Sequence, residues 1–343
     1  MGVPPLATLP ARRSRRPRRA RAAAAVQTRG VVRSLVVAVV LASVVIGACG
    51  GDDGDDLQRS VPPRAVFTGA GVTGGGRLVD IGGRSLYIEC AGSGTPTVVL
   101  EAGFGGSSGT WASVFRPLSR TTRTCAYDRA GLGSSVGMPG VHDAGDEVAD
   151  LELLLDRAGL PAPYVLVGHS YGGLLVRMFA RRQPERTAGV VLVDSMGRDQ
   201  TKRELALWPR SLEPAARRTV AQPVVEGVDL RTSEALAGGI LTLDDTPLVV
   251  ITAGRSSIDA TAPARLRRAG DRLWRVMQDE LAALSSDSVH VVALRSDHFV
   301  QRVGGQPRVV VRGVLAVVAA AREGTALPAC AELFAGPAVR CRS

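Results

Sequence analysis

Five consecutive residues, Gly168-His169-Ser170-Tyr171-Gly172, carry the strongest chemical signal in the chain. A serine with glycine two positions away on either side is the pattern of a nucleophile elbow, a very tight strand-to-helix turn. The flanking sequence supplies that context: YVLVG (164–168) reads as a buried strand and LLVRMFARRQ (174–183) as a helix. Side chains at 168 and 172 would collide with neighbouring chain in such a turn, which accounts for glycine at both. A serine at a helix N-terminus also has free N–H groups and the positive end of the helix dipole beside it. Its hydroxyl is a poor nucleophile until a base removes the proton, so a histidine must converge on it.

The chain has four histidines. His169 lies inside the elbow and is expected to point away from Ser170, and His142 precedes the first long helix. His290 alternates within the strand VHVVAL (289–294), where packing or a hydrogen bond accounts for it. His298 follows that last strand in a loop. Candidate acids to orient a base are Asp194, at the end of AGVVLVD (188–194), and Asp259, five residues beyond Gly254. Asp194 is favoured because functional groups of such sheets collect at the carboxyl ends of strands. Asp297 is too close to His298 in sequence to orient it easily. The histidines lack a metal-ligand spacing such as HExxH, no GK[ST] follows a glycine loop, and neither a metal nor an organic cofactor is expected.

From residue 77 onward strands and helices alternate. RLVDIGGRSLYIEC (77–90) reads as a hairpin around Gly82-Gly83, and TVVLEAG (97–103) and RTCAYDRAG (123–131) as buried strands. Residues 146–158 start with acids, carry Val148, Leu151 and Leu155 at helical spacing, and stop at Gly159. After the elbow helix and the strand 188–194, residues 197–245 break the rhythm. PLVVITAG (247–254), a helix around 262–284, VHVVAL and an apolar helix near 308–322 restore it. Such alternation predicts an α/β fold: a mostly parallel sheet with helices on both faces, one catalytic unit over 77–343 with an insertion at 197–245.

The formal charge of +10 is confined to the start of the chain. Residues 1–48 hold nine Arg and no acid, which leaves 33 basic against 32 acidic residues in the remainder. A basic groove for nucleic acid is therefore not expected. RRSRRPRRAR (12–21) followed by the apolar VVRSLVVAVVLASVVIGA (31–48) has the arrangement of an export signal. Ile46-Gly47-Ala48-Cys49 resembles the lipobox of bacterial lipoproteins, which makes Cys49 the candidate lipid-attachment residue. An uncleaved membrane anchor is the alternative, and either places the rest of the chain outside the cytoplasm. Residues 49–76 read as a flexible tether. Four further cysteines, Cys90, Cys125, Cys330 and Cys341, form no CxxC pair, and an even count in an exported chain predicts two disulfides.

Four blocks, LEAGFGGSSGTW (100–111), CAYDRAGLGSS (125–135), VLVGHSYGGLLVRMFA (165–180) and SDHFVQ (296–301), resemble the Ser-nucleophile branch of the α/β-hydrolase fold family over about residues 77–320. The resemblance implies acyl transfer to Ser170, with His298 as general base and Asp194 or Asp259 orienting it. It implies an oxyanion hole made by the backbone N–H groups of Phe104 and Tyr171. The family commonly has His-Gly where this chain has Ala102-Gly103, but both donors are main-chain groups. It further implies that 197–245 is a helical lid and that Cys90 pairs with Cys125, with Cys330–Cys341 pinning the C-terminal tail. The expected partner is a small acyl substrate: an ester, thioester, lactone or amide. The same fold also serves non-catalytic ligand-binding proteins, and fold alone does not choose between the two.

Overall fold

The computed structural model describes residues 75–207, 224–258, 260 and 262–342. The leader, Cys49, the first part of the tether, Trp208 and Asp259 lie outside these described residues. Nine strands form one sheet in the order β1-β2-β4-β3-β5-β6-β9-β10-β11. They are β1 (Arg77–Asp80), β2 (Ser85–Ala91), β3 (Thr97–Glu101), β4 (Thr124–Tyr127), β5 (Tyr164–His169), β6 (Thr187–Val193), β9 (Leu248–Ala253), β10 (Ser288–Ala293) and β11 (Val339–Arg342). The strands from β4 to β10 run parallel, while β1, β2 and β11 pair antiparallel at the two edges. A second, two-stranded sheet, β7 (Val224–Val225) with β8 (Val228–Asp229), lies in the insertion.

The central strands are apolar on both faces, and their side chains divide with a period of two. Leu166 of β5, Val190 and Leu192 of β6 and Val250 of β9 enter one core, where they meet helices α2 (Ala144–Arg157) and α3 (Tyr171–Arg182). Val165 and Val167, Val191 and Val193, and Ile251 enter the other, packed by α1 (Ala112–Ser119) and α7 (Pro307–Glu323). Burying each such side chain contributes about 1.5–3 kcal/mol. Helix α2 starts at Ala144, two residues earlier than the acidic run suggested. Asp143 caps it by accepting from the N–H groups of Gly145 and Asp146, and Asp146 returns a bond to the Asp143 N–H. A cap of this kind is worth about 1 kcal/mol.

The insertion between β6 and β9 holds α4 (Gln200–Ala206), the β7–β8 hairpin and α5 (Leu230–Gly238). α6 (Ala264–Ala282) follows β9 and packs on α4. Helix α1 and the β7–β8 hairpin escape the sequence reading, as do two features near the end of the chain. The short strand β11 closes the sheet beside β10, and the helical turn α8 (Cys330–Leu333) precedes it. Disulfides join Cys90 to Cys125 and Cys330 to Cys341, the pairing that the resemblance implied. The first bridges directly opposed residues of β2 and β4, and the second ties α8 to β11. Among the described residues, no helix is long and apolar enough to cross a membrane.

Candidate active site

Ser170 stands between β5 and α3 with no linker on either side, so the helix begins at Tyr171, three residues before the sequence periodicity indicates. Its backbone is held at φ 53° and ψ −121°, a conformation that costs about 1–3 kcal/mol and persists only where the surroundings impose it. The surroundings do so here: the Ser170 N–H donates to the Val193 carbonyl, and its own carbonyl accepts from Gly173 and Met196. A Cβ at Gly168 would stand 2.5 Å from the Gly172 carbonyl oxygen, and one at Gly172 would stand 2.5 Å from that of Glu101. Both glycines are therefore required by close approach of backbone.

Asp194 and His298, 104 residues apart in sequence, meet at the carboxyl ends of β6 and β10. His298 Nδ1 lies 2.7 Å from Asp194 Oδ2. The other carboxylate oxygen accepts from the Ala253 N–H at 2.8 Å and the Trp274 indole N–H at 2.9 Å. Asp194 is 1% exposed and sits at φ 43°, in the left-handed region that aspartate tolerates better than most residues. A carboxylate on Nδ1 fixes the ring proton there and leaves the lone pair on Nε2. That Nε2 is buried and has no hydrogen-bond partner among the described residues. His298 and Ser170 line one cavity of about 140 Å³, together with Phe104, Trp274, Met277 and Glu204. Burial and the neighbouring Glu234 charge push the Glu204 carboxyl up to about 8.

The remaining candidates separate cleanly. His169 points its Nε2 at the His298 carbonyl oxygen, 2.9 Å away, and so holds the loop that carries His298. Burial, with the nearby His298, lowers the His169 pKa well below the usual imidazole range, which keeps the ring neutral. His290 bonds Thr252 at 2.7 Å, within the sheet as expected. Asp297 accepts from the Phe299 N–H in a local turn and does not orient His298. Phe104, which lines the cavity, stacks on Tyr171 with ring centroids 4.0 Å apart, so the residues of the two expected oxyanion donors lie side by side. No acceptor among the described residues takes either N–H. A Cβ on Gly103 would come within 2.8 Å of Ser170 Cβ, so loop 102–105 runs against the serine. No group of metal-ligating side chains occurs among the described residues.

A second set of groups was not anticipated. Arg129, 3% exposed, pairs with Glu101 at 2.8 Å, Glu147 at 3.3 Å and Glu226 at 3.1 Å. It also donates to the carbonyls of Ala102 and Gly103 at 2.5 and 3.0 Å. Glu226 accepts from the Gly105 N–H, Tyr127 bonds Glu101, and Tyr171 donates to Glu147 at 2.6 Å. Burial pushes the Glu101 carboxyl up to about 7, against the pull of Arg129. Trp274 was missed as well. Its signal was faint: a buried indole N–H needs an acceptor, but the sequence does not say which.

The model of the α/β hydrolase fold family matches residues 96–263. A pimeloyl-acyl-carrier-protein methyl ester esterase of Chromobacterium violaceum is 36% identical over 143 residues, which cover 40% of this chain and 50% of that one. A probable transporter, efuK of Hormonema carpetanum, is 40% identical over 126 residues, 34% of this chain and 18% of that protein. The chain thus spans half or less of the length of these two relatives. Among solved structures, a hydrolase from Pseudomonas aeruginosa PA01 superposes with a TM-score of 0.52 at 21% identity, covering 71% of this chain and 98% of that one.

Proposed function

Since the chain belongs to the α/β-hydrolase fold family, we propose that it is a serine hydrolase that cleaves a small carboxylic ester through an acyl-enzyme on Ser170. One observation carries this reading: the His298 ring is held through Nδ1 by the buried Asp194, its Nε2 has no partner among the described residues, and His298 and Ser170 line the same cavity. In the reaction, Ser170 Oγ attacks the substrate carbonyl carbon and His298 Nε2 takes the hydroxyl proton. The tetrahedral oxyanion receives the N–H groups of Phe104 and Tyr171, each worth on the order of a hundred- to a thousandfold in rate. Collapse breaks the bond to the leaving oxygen, which takes the proton from His298. Water then repeats the sequence on the acyl-enzyme, releasing the acid and restoring Ser170. Asp194 stabilises the imidazolium and remains ionised throughout.

An ester is favoured over an amide by the esterase named among the relatives, and the partly apolar wall of Phe104, Met277 and Trp274 suits an acyl group. The test is labelling by a fluorophosphonate probe with turnover of short p-nitrophenyl esters, comparing wild type with Ser170→Ala. Labelling and turnover that vanish together in the variant are the expected result. A folded wild type that neither labels nor turns over overturns the enzyme reading in favour of ligand binding. We also propose that the domain is exported and held at the outer membrane face through a lipid on Cys49. Two disulfides support an oxidising compartment, and loss of fatty-acid incorporation in Cys49→Ala is the expected outcome.

A further inference from the structure

Charged side chains from four distant stretches of sequence, at 101, 129, 147 and 226, converge behind the loop 102–105, and none takes part in the reaction above. Three consecutive peptide units of that loop are held by them. Arg129 Nη1 takes the Ala102 carbonyl, Nη2 takes the Gly103 carbonyl, and Glu226 takes the Gly105 N–H. A trans peptide is planar, and its C=O and N–H point in opposite directions. The Gly103 carbonyl and the Phe104 N–H belong to one such unit, so fixing the carbonyl on Arg129 turns the N–H to the opposite side. Likewise, the bond from Gly105 fixes the Phe104 carbonyl on the next unit. The loop is thus oriented on both sides of the Phe104 N–H.

Glu226 reaches the loop from the insertion, at the turn of the β7–β8 hairpin. That turn has Glu226 at φ 58° and Gly227 at φ 86°. Two positive φ values in a two-residue turn are the type I′ pattern, where Asn-Gly is strongly preferred. A glutamate accepts the left-handed conformation there at a cost that asparagine or glycine would avoid. The hairpin is seated by bonds from His142 N–H to the Gly227 carbonyl at 3.0 Å and from Asp229 N–H to the His142 carbonyl at 2.7 Å. Arginine, with a rigid fork, can hold two adjacent carbonyls and still face carboxylates; lysine cannot.

We propose that Arg129 and Glu226 are positioning residues for the oxyanion site, one from the core and one from the cap, so that the Phe104 N–H is aimed only while the β7–β8 hairpin is seated. This rests on the serine-hydrolase reading. The cap then does more than wall the cavity, because withdrawing it releases one side of the oxyanion loop.

The experiment is steady-state ester hydrolysis by wild type, Glu226→Ala and Glu226→Gln, with rates expressed per fluorophosphonate-titrated site and thermal midpoints recorded beside them. Glutamine keeps an oxygen for the Gly105 N–H and alanine does not. Glu226→Ala is expected to lower kcat about tenfold to a hundredfold, a part of what one oxyanion donor supplies, with KM within about twofold. Glu226→Gln is expected to recover most of kcat. Because titration counts only folded sites, a merely structural role would lower the midpoint and leave kcat per site unchanged. That result, or glutamine performing no better than alanine, overturns the proposal. Arg129→Lys, if it yields titratable sites, must show the same loss in kcat. A wild type that does not label overturns the underlying reading instead, so the two failures are told apart.

Discussion

Two histidines, one in β10 and one in the loop after it, are bonded to aspartates, and they differ in what the second ring nitrogen does. His290 lies 3.1 Å from Asp279 through Nδ1, and its Nε2 takes the Thr252 hydroxyl at 2.7 Å. Asp279 is 40% exposed in its side chain and also pairs with Arg342. His298 has the same Nδ1 bond to Asp194, but that carboxylate is buried and pairs with no cation besides His298 among the described residues, while Nε2 is buried without a partner among them and the residue lines one cavity with Ser170. Both ring nitrogens of His290 are committed, so the pair is structural. One nitrogen of His298 has no partner among the described residues, so that pair is the candidate base. A His–Asp contact alone is therefore not the mark of a base; what singles out His298 is a second ring nitrogen without a partner among the described residues, in a residue that shares a cavity with a serine.

The sharpest test of that contrast exchanges each aspartate for its amide. Asp194→Asn is expected to lower kcat about ten-thousandfold, because the amide favours the wrong imidazole tautomer, whereas Asp279→Asn should leave kcat within about twofold. Equal effects on kcat from the two substitutions would break the comparison. Next in size is the cost of opening the Arg129 cluster. Arg129→Met strands Glu101 and Glu147 in the interior and should destabilise the fold by about 3–5 kcal/mol, read from urea unfolding. Trp274→Phe removes one of the two neutral donors on Asp194 Oδ1 while keeping the ring. A several-fold fall in kcat, with stability lowered by about 1 kcal/mol, is expected.

The smallest effect is on pH dependence. Burial lowers the His290 pKa to about 4 from the usual 6.5, against the pull of Asp279 and aided by Arg342. A depressed pKa contributes stability that is present above 6.5 and is lost as pH falls through about 4. His290→Gln should therefore flatten the fall of the thermal midpoint between pH 6.5 and 4 relative to wild type. Glu101, with its carboxyl raised to about 7, works in the opposite direction. Its contribution is full below about pH 4.5 and is lost as pH rises through 7. A His290→Gln profile parallel to that of wild type would mean the ring is not held neutral.

The strands were legible because the central sheet is apolar on both faces, and runs such as YVLVG and PLVVITAG have no other stable use in a soluble layer. Ser170 was legible for a related reason: the glycines at 168 and 172 record a steric demand in the sequence itself. His298 followed from chain order. The choice between Asp194 and Asp259 was less determined, because the match between a carboxylate and an imidazole depends on how strand ends align across the sheet. β6 and β10 flank β9, which brings Asp194 to His298. The Arg129 cluster was illegible on different grounds. Its members are scattered over 126 positions, and nothing local says that they meet: even Glu101, at the end of the apolar run TVVLE, names no partner. β11 escaped because its four residues, VRCR, have half their positions charged and gain strand character only from β10 beside them.

That last strand has a consequence for how the protein behaves in a crowded suspension of its own copies. An uncovered sheet edge is a template for another chain, and β10 (SVHVVA) would be a flat, mostly apolar one. β11 occupies it with four residues, two of them arginines, and the Cys330–Cys341 bridge ties the strand back to the turn beneath it. Reduction would leave so short a strand held by a few backbone bonds and the Arg342–Asp279 contact. The bridge thus acts as a gatekeeper against oligomers built by strand addition. Under reducing conditions the chain should gain a tendency to self-associate.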